Sequence, residues 1–207
     1  MSAIARIGGG APLITTLVVV NVLVHLTLEY IGSTDSELRT QLYGYFGLLP
    51  PPYFGFTQIV TYAFLHSDWT HLFFNMFGLW MFGKEVERYL GTGRLAVYYL
   101  ICVIGAAIFQ LGAGMMENSI TLTVGASGGV FGILLAFGML FPNRMILLLI
   151  PPIPMKAKWA VILFGVVELL FGVTHTFASI AHFAHLGGMV FGFFLILFWR
   201  RRRPALP

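Results

Sequence analysis

Along the chain, long apolar runs alternate with short polar breaks. Six runs stand out, at residues 13–31, 69–86, 95–115, 126–141, 159–173 and 180–199. Each approaches or exceeds the roughly 17 to 25 residues that cross a hydrocarbon layer about 30 Å thick. Apolar side chains surround the whole helix in these runs, which predicts buried or lipid-facing helices in place of amphipathic surface ones. The expected fold is an all-α membrane protein, a bundle of six transmembrane helices forming one domain over residues 1–207. Between the first two runs, residues 32–65 are rich in Gly, Pro, Tyr and Phe and include Pro50-Pro51-Pro52. That stretch is too apolar for a free linker and is expected as a long outer loop, partly at the membrane interface.

Composition sharpens the reading. Hydrophobic residues make up 58% and charged residues 10%, against roughly 45–50% and about 25% in soluble domains. The formal charge of +4 sits at run ends without forming a basic face, which argues against nucleic acid as a partner. With a cytoplasmic N-terminus, Arg6, Lys84, Arg88, Arg94, Arg144, Lys156, Lys158 and Arg200 to Arg203 fall inside and only Arg39 outside. This positive-inside bias puts both termini in the cytoplasm. Arg200 to Arg203 then read as a stop-transfer anchor facing anionic lipid. The first run ends in Glu29-Tyr30 without a small-residue cleavage pattern and reads as a retained span. Cys102, inside an apolar run, reads as a packed thiol.

Polar side chains inside spans are costly and call for a reason. They are Asn21, His25, His71, Asn75, Ser127, Glu168, His182 and His185. Counting back from the cytoplasmic ends at about 1.5 Å per residue places Ser127 and His185 each roughly 22 Å up, Asn75 near 20 Å and His71 near 25 Å. One layer, about 5 to 10 Å below the outer surface, therefore holds all four. Gly128 and Gly132 are four apart in span 4, as are Gly188 and Gly192 in span 6. Small residues at that interval let helix backbones approach closely, which can bring Ser127 to His185.

The chemistry fits these residue types. A serine hydroxyl needs a base to take its proton as it attacks an amide carbon, and a neutral imidazole suits that role. The resulting oxyanion needs fixed donors. His71 and Asn75 share one helix face and, with the Ser127 backbone N–H, can supply them. No carboxylate lies near His185 in sequence or estimated depth, so the expectation is a Ser–His dyad. Span 4 is short, so the polar loop near residues 117–123 is expected to dip inward and admit water.

The stretch His66-Ser67-Asp68-Trp69-Thr70-His71-Leu72-Phe73-Phe74-Asn75 resembles the HxxxN segment of rhomboid proteases with its additional upstream His. Val86 to Arg94 resembles that family's cytoplasmic turn, Gly125-Ala126-Ser127-Gly128 its GxSG, and Ala184-His185-Leu186-Gly187-Gly188 its AHxGG, all in order. The resemblance implies a serine endopeptidase with Ser127 as nucleophile, His185 as general base, and His71 and Asn75 as oxyanion donors. It implies no cofactor and no metal. Substrates are expected to be single-span membrane proteins cut near the outer face, in a multi-pass protein of the cell membrane, most simply a bacterial inner membrane. Two departures stand out. The family's Trp-Arg pair in the first loop is replaced by Phe56-Thr57-Gln58-Ile59-Val60, and the Tyr that often stacks under the base is Phe131. Phe keeps the stacking face.

Two other functions compete: a non-catalytic rhomboid-like binder of membrane clients, which would not need a nucleophile and base, and a small transporter relaying protons through Glu168, His25 and His185, which would need internal repeats. Among remaining residues, His182 is expected beside the site or facing a loop instead of in a metal pair. His66 is expected to bond loop backbone. Glu168 is expected as a packing residue, and Asn21 and His25 to bond a neighbouring helix.

Overall fold

A computed structural model describes residues 10–117, 119–148, 152–176 and 181–202. The expected start of span 6 at Ile180, and the charges of Arg6 and Arg203, lie outside them. The elements run α1 (Pro12–Thr34), α2 (Ser36–Phe46), α3 (Gln58–Thr61), α4 (Trp69–Gly78), a π-helical turn (Leu79–Gly83), α5 (Lys84–Leu90), α6 (Thr92–Met116) and α7 (Ser127–Leu140). A short antiparallel hairpin follows, β1 (Met145–Leu147) with β2 (Pro154–Lys156), then α8 (Ala157–Thr174) and α9 (His182–Arg202). Among the described residues, four helices are long and apolar enough to cross a membrane: Pro12–Thr34, Thr92–Met116, Ala157–Thr174 and His182–Arg201. Helix α7 is shorter, and α4, the π turn and α5 continue one another from Trp69 to Leu90.

Helices α6, α7 and α9 form the core. The two glycine pairs do not simply face each other. A Cβ on Gly188 would overlap the Gly128 carbonyl, which fixes the α7–α9 crossing. Gly132 and Gly192 instead receive Cys102 and Tyr98 of α6, and the Tyr98 hydroxyl donates to Gly132 O at 2.7 Å. The third helix thus wedges between the two that carry the glycine intervals, which close packing without a Cβ permits.

Two buried polar side chains fix the periphery. The first backbone N–H groups of a helix lack partners and favour negative charge. Glu87 supplies it in trans: its carboxylate accepts from Leu13 N and Ile14 N at 3.0 Å each, and from Thr92 Oγ1 at 2.8 Å. In the first loop, Gln58 accepts from Leu49 N at 3.2 Å and Gly55 N at 3.1 Å, and donates to Gly44 O at 3.2 Å and Tyr45 O at 3.3 Å. One amide thereby pins residues 44–58, in the stretch where the resemblance leads one to expect a Trp-Arg pair.

Outward faces are apolar. Helix α8 exposes Trp159, Ile162, Val166, Leu169, Leu170 and Val173, and buries Ala157, Ala160, Val161, Glu168 and Gly172. So large an apolar surface is incompatible with water and suits hydrocarbon.

Candidate active site

Ser127 is the first residue of α7. Before it, Gly125 has φ +123°, a conformation that disfavours any side chain. A Cβ there would also come within 2.6 Å of His71 Nε2. Gly125 N donates to Tyr62 O at 3.0 Å, anchoring the turn on the loop wall. No side chain caps α7, so the N–H groups of its first turn, at the positive end of the helix dipole, are open to an anion.

Ser127 Oγ lies 2.8 Å from His185 Nε2. The His185 ring lies flat on Phe131, with centroids 4.2 Å apart and planes 6° from parallel. Both residues, with His71 and Asn75, line a cavity of about 760 Å³. Its rim includes Glu117, Ser119 and Thr121 of the loop before α7, which is bridged to the first loop through Leu48 and Thr123.

On the opposite wall, Asp68 caps α4, its Oδ1 accepting from His71 N at 2.9 Å. This bond, with one from the Ser67 hydroxyl, holds the Asp68 carboxyl below its usual range. Ser67 Oγ donates to Asp68 Oδ2 at 2.7 Å and lies 3.1 Å from His71 Nδ1. An ionised carboxylate only accepts, so the single Ser67 proton is committed to it, and His71 Nδ1 must donate to Ser67. In neutral His71 the cavity-side Nε2 then carries no hydrogen. Asn75 Nδ2 donates one hydrogen to His71 O at 3.0 Å, leaving its second free.

The expectation that no carboxylate approaches His185 is corrected. Glu168 Oε2 lies 2.9 Å from His185 Nδ1 and 2.6 Å from His182 Nδ1. Counting 1.5 Å per residue locates a Cα along its helix; it leaves out side-chain reach and the direction α8 faces. Glu168 is therefore not an isolated packing residue. His182 also contacts Thr176 O through Nε2 at 3.0 Å, so it sits beside the site facing a loop. Glu168, His182 and His185 form the one cluster of three potential metal donors among the described residues. Glu168 stands at hydrogen-bond separation from each histidine, closer than the about 3.4 Å between ligands of a tetrahedral zinc with bonds near 2.0 to 2.1 Å.

His66 is fully buried, and among the described residues neither ring nitrogen makes a well-aligned hydrogen bond, although the Phe64 backbone lies close enough to favour its charged form. It is the His66 carbonyl that bonds, accepting from Tyr43 OH at 2.6 Å, while the ring meets His71 edge-on at 5.1 Å. Burial pushes the His66 imidazole down to about 3. Asn21 bonds its own helix, to Leu17 O at 2.8 Å. His25 packs edge-on against Trp69 at 4.6 Å and hydrogen-bonds no neighbouring helix among the described residues. For Asn21 and His25, the helix's own backbone and ring packing replace the expected bond.

Comparison with known proteins gives consistent matches. Residues 54–202 match the family model described as Rhomboid domain. The chain is 34% identical over 137 residues to Rhomboid protein 1, mitochondrial, of Saccharomyces cerevisiae, covering 65% of this chain and 39% of that protein. It is 26% identical over 194 residues to Rhomboid protease GlpG of Photorhabdus laumondii, covering 92% and 62%. Over 76 residues it is 41% identical to Rhomboid-like protein 11, chloroplastic, of Arabidopsis thaliana, covering 37% and 26%. The chain thus spans less than two thirds of each of these relatives.

Proposed function

Because the chain belongs to the rhomboid family, we propose that it is an intramembrane serine endopeptidase in which Ser127 attacks and His185 is the general base. The observation that carries this reading is the 2.8 Å separation of Ser127 Oγ from His185 Nε2 at a cavity wall. A nucleophile and base at hydrogen-bond distance on the wall of a cavity is what acyl transfer requires and what packing alone does not. Of the three relatives described, one is named a rhomboid protein, one a rhomboid-like protein and one a rhomboid protease.

In this reading Ser127 Oγ adds to the scissile carbonyl carbon as its proton passes to His185 Nε2. The carbonyl electron pair moves to oxygen, where the Ser127 N–H and the free Asn75 hydrogen stabilise it, and His71 joins them only in its Nε2–H tautomer. Collapse returns the electron pair, breaks the C–N bond and transfers the proton from Nε2 to the leaving nitrogen. Water then hydrolyses the acyl-enzyme with the same base. Six spans carry the site, α1, the α4–α5 rod, α6, α7, α8 and α9, with both termini cytoplasmic and residues 32–65 an outer loop at the interface. The substrate is a transmembrane segment of a single-span protein, unwound near the outer face so that a carbonyl is accessible.

The test uses purified full chain in detergent with a fluorophosphonate probe and a model transmembrane substrate. Wild type should be labelled and cleave, and Ser127→Ala and His185→Ala should do neither. Labelling or cleavage that persists in Ser127→Ala would end the proposal.

A further inference from the structure

We propose that Glu168 is a positioning residue for the base, so that Ser127, His185 and Glu168 act as a triad built across α7, α9 and α8. The inference deepens the protease reading and rests on it. For His185 Nε2 to accept the serine proton, the neutral ring must carry its hydrogen on Nδ1. That N–H is buried and has no well-aligned hydrogen-bond partner in the resting arrangement. Its near acceptor is Glu168 Oε2, 2.9 Å away but out of line; the same oxygen also meets His182 Nδ1 at 2.6 Å.

The arrangement suits charge that develops during reaction. When Ser127 transfers its proton, His185 becomes an imidazolium with a positive Nδ1–H facing a carboxylate in a low-dielectric pocket. The attraction is much greater for that cation than for the neutral ring, so the transition state gains more than the ground state. Glu168 stays ionised throughout and takes no proton. His182 holds the carboxylate against α9 through Nδ1 at 2.6 Å, and Phe131 limits the His185 ring to rotation in its own plane. That rotation is the motion that can improve alignment with Oε2.

A plain alternative is that Glu168 and His182 only staple α8 to α9. The charged and titratable groups around His185 are Glu168 on α8, His182 on α9 and His71 on α4, with α7 contributing only the Ser127 hydroxyl. A carboxylate acting on the base should move the pH profile, and a staple should not.

The experiment measures kcat, KM and the pH dependence of kcat/KM for wild type, Ser127→Ala, Glu168→Gln, Glu168→Asp and His182→Gln in the full chain. Glu168→Gln should lower kcat by about 100-fold or more with little change in KM, as expected for loss of a group that orients a catalytic imidazole. The acidic limb of its kcat/KM should shift to lower pH, since the neutral amide no longer favours the imidazolium. Glu168→Asp, which keeps the charge, should restore part of kcat and return the limb toward wild type. His182→Gln should cost less than Glu168→Gln. If Glu168→Gln unfolds, Glu168→Asp and the downfield Nδ1 proton resonance of His185 in wild type still report the contact, and absence of that resonance would count against it. An unshifted acidic limb, a kcat within about threefold of wild type, or activity that EDTA abolishes and Zn²⁺ restores would overturn the inference. Ser127→Ala separates the cases: cleavage surviving there removes the protease reading itself, whereas an inactive Ser127→Ala beside a normal Glu168→Gln removes only the triad.

Discussion

The two walls of the cavity are prepared to different degrees. On the wall of α7, α8 and α9, His185 is held by Ser127 at 2.8 Å and by the flat stack on Phe131, with Glu168 2.9 Å from Nδ1 but out of line. On the wall of α4, the groups assigned to the oxyanion are occupied locally: Asn75 bonds the helix backbone and His71 Nδ1 is bound to Ser67. In the proposed mechanism the difference means that the base already meets the nucleophile at rest, while on the α4 wall the second Asn75 hydrogen is ready and His71 must first change tautomer. Such a division keeps the nucleophile ready and lets substrate binding complete the hole.

The largest effect that sharpens this contrast is expected at Asn75. Its second amide hydrogen is the side-chain donor on the α4 wall that needs no change of tautomer. Asn75→Ala should lower kcat by about 10²- to 10³-fold, the usual cost of losing one oxyanion donor, with KM little changed. Single-turnover cleavage of a transmembrane substrate measures it. A drop confined to KM would mean Asn75 binds substrate without serving the oxyanion.

Next in size is the stack on the other wall. Phe131→Ala removes an aromatic contact worth about 0.5 to 1.5 kcal/mol beyond area burial, and should cost up to about tenfold in kcat as the imidazole gains freedom. Phe131→Tyr keeps the face and should stay close to wild type. If both variants behave alike, the stack does not orient the base.

How far the sequence could reveal these walls follows from what one-dimensional spacing measures. Ser127 and His185 were legible because each lies about 15 residues from the polar break that closes its apolar run, at Pro142 and Arg200, so axial counting gave a common height. Glu168 was not, because the count carries neither the direction α8 faces nor the length of a glutamate side chain. Gly128, Gly132, Gly188 and Gly192 announced close packing, yet not that Tyr98 and Cys102 of α6 would fill half of it. That signal lay in the run Gly105-Ala106-Ala107 of the third apolar segment, where Gly105 admits α9 at Gly187 and Phe191 and Ala106 meets Gly128 of α7. Gln58 left no periodic trace at all, since a loop pinned by one amide has no repeat to read.

A smaller effect should come from the residue that fixes the His71 tautomer. With Ser67 committed to Asp68, His71 presents a bare Nε2. Ser67→Ala removes the acceptor that keeps the hydrogen on Nδ1 and should populate the Nε2–H form. The expected result is a rise in kcat of about threefold, the low end of what one hydrogen bond contributes. Imidazole ¹⁵N shifts of His71 should move with it. A tenfold loss instead would mean that Ser67 donates to Nδ1 and the Nε2–H form is already in place.

The smallest expected effect concerns stability, again on the α4 wall. His66 packs behind His71 with its ring buried, and its imidazole is held down to about 3, against an ordinary value near 6.5. A base whose folded value is depressed is protonated in the unfolded chain first, so the unfolded state binds more protons between those two values. Stability is thus fully present above about pH 6.5 and declines as pH falls toward about 3. His66→Gln, which cannot titrate, should show a shallower fall in melting temperature between pH 7 and pH 4.5 in detergent, even if it starts lower at pH 7. The base wall gives the control: Phe131→Leu should leave the slope unchanged. Parallel slopes for wild type and His66→Gln would mean that His66 is protonated without cost, and that the α4 wall is wetter than its burial implies.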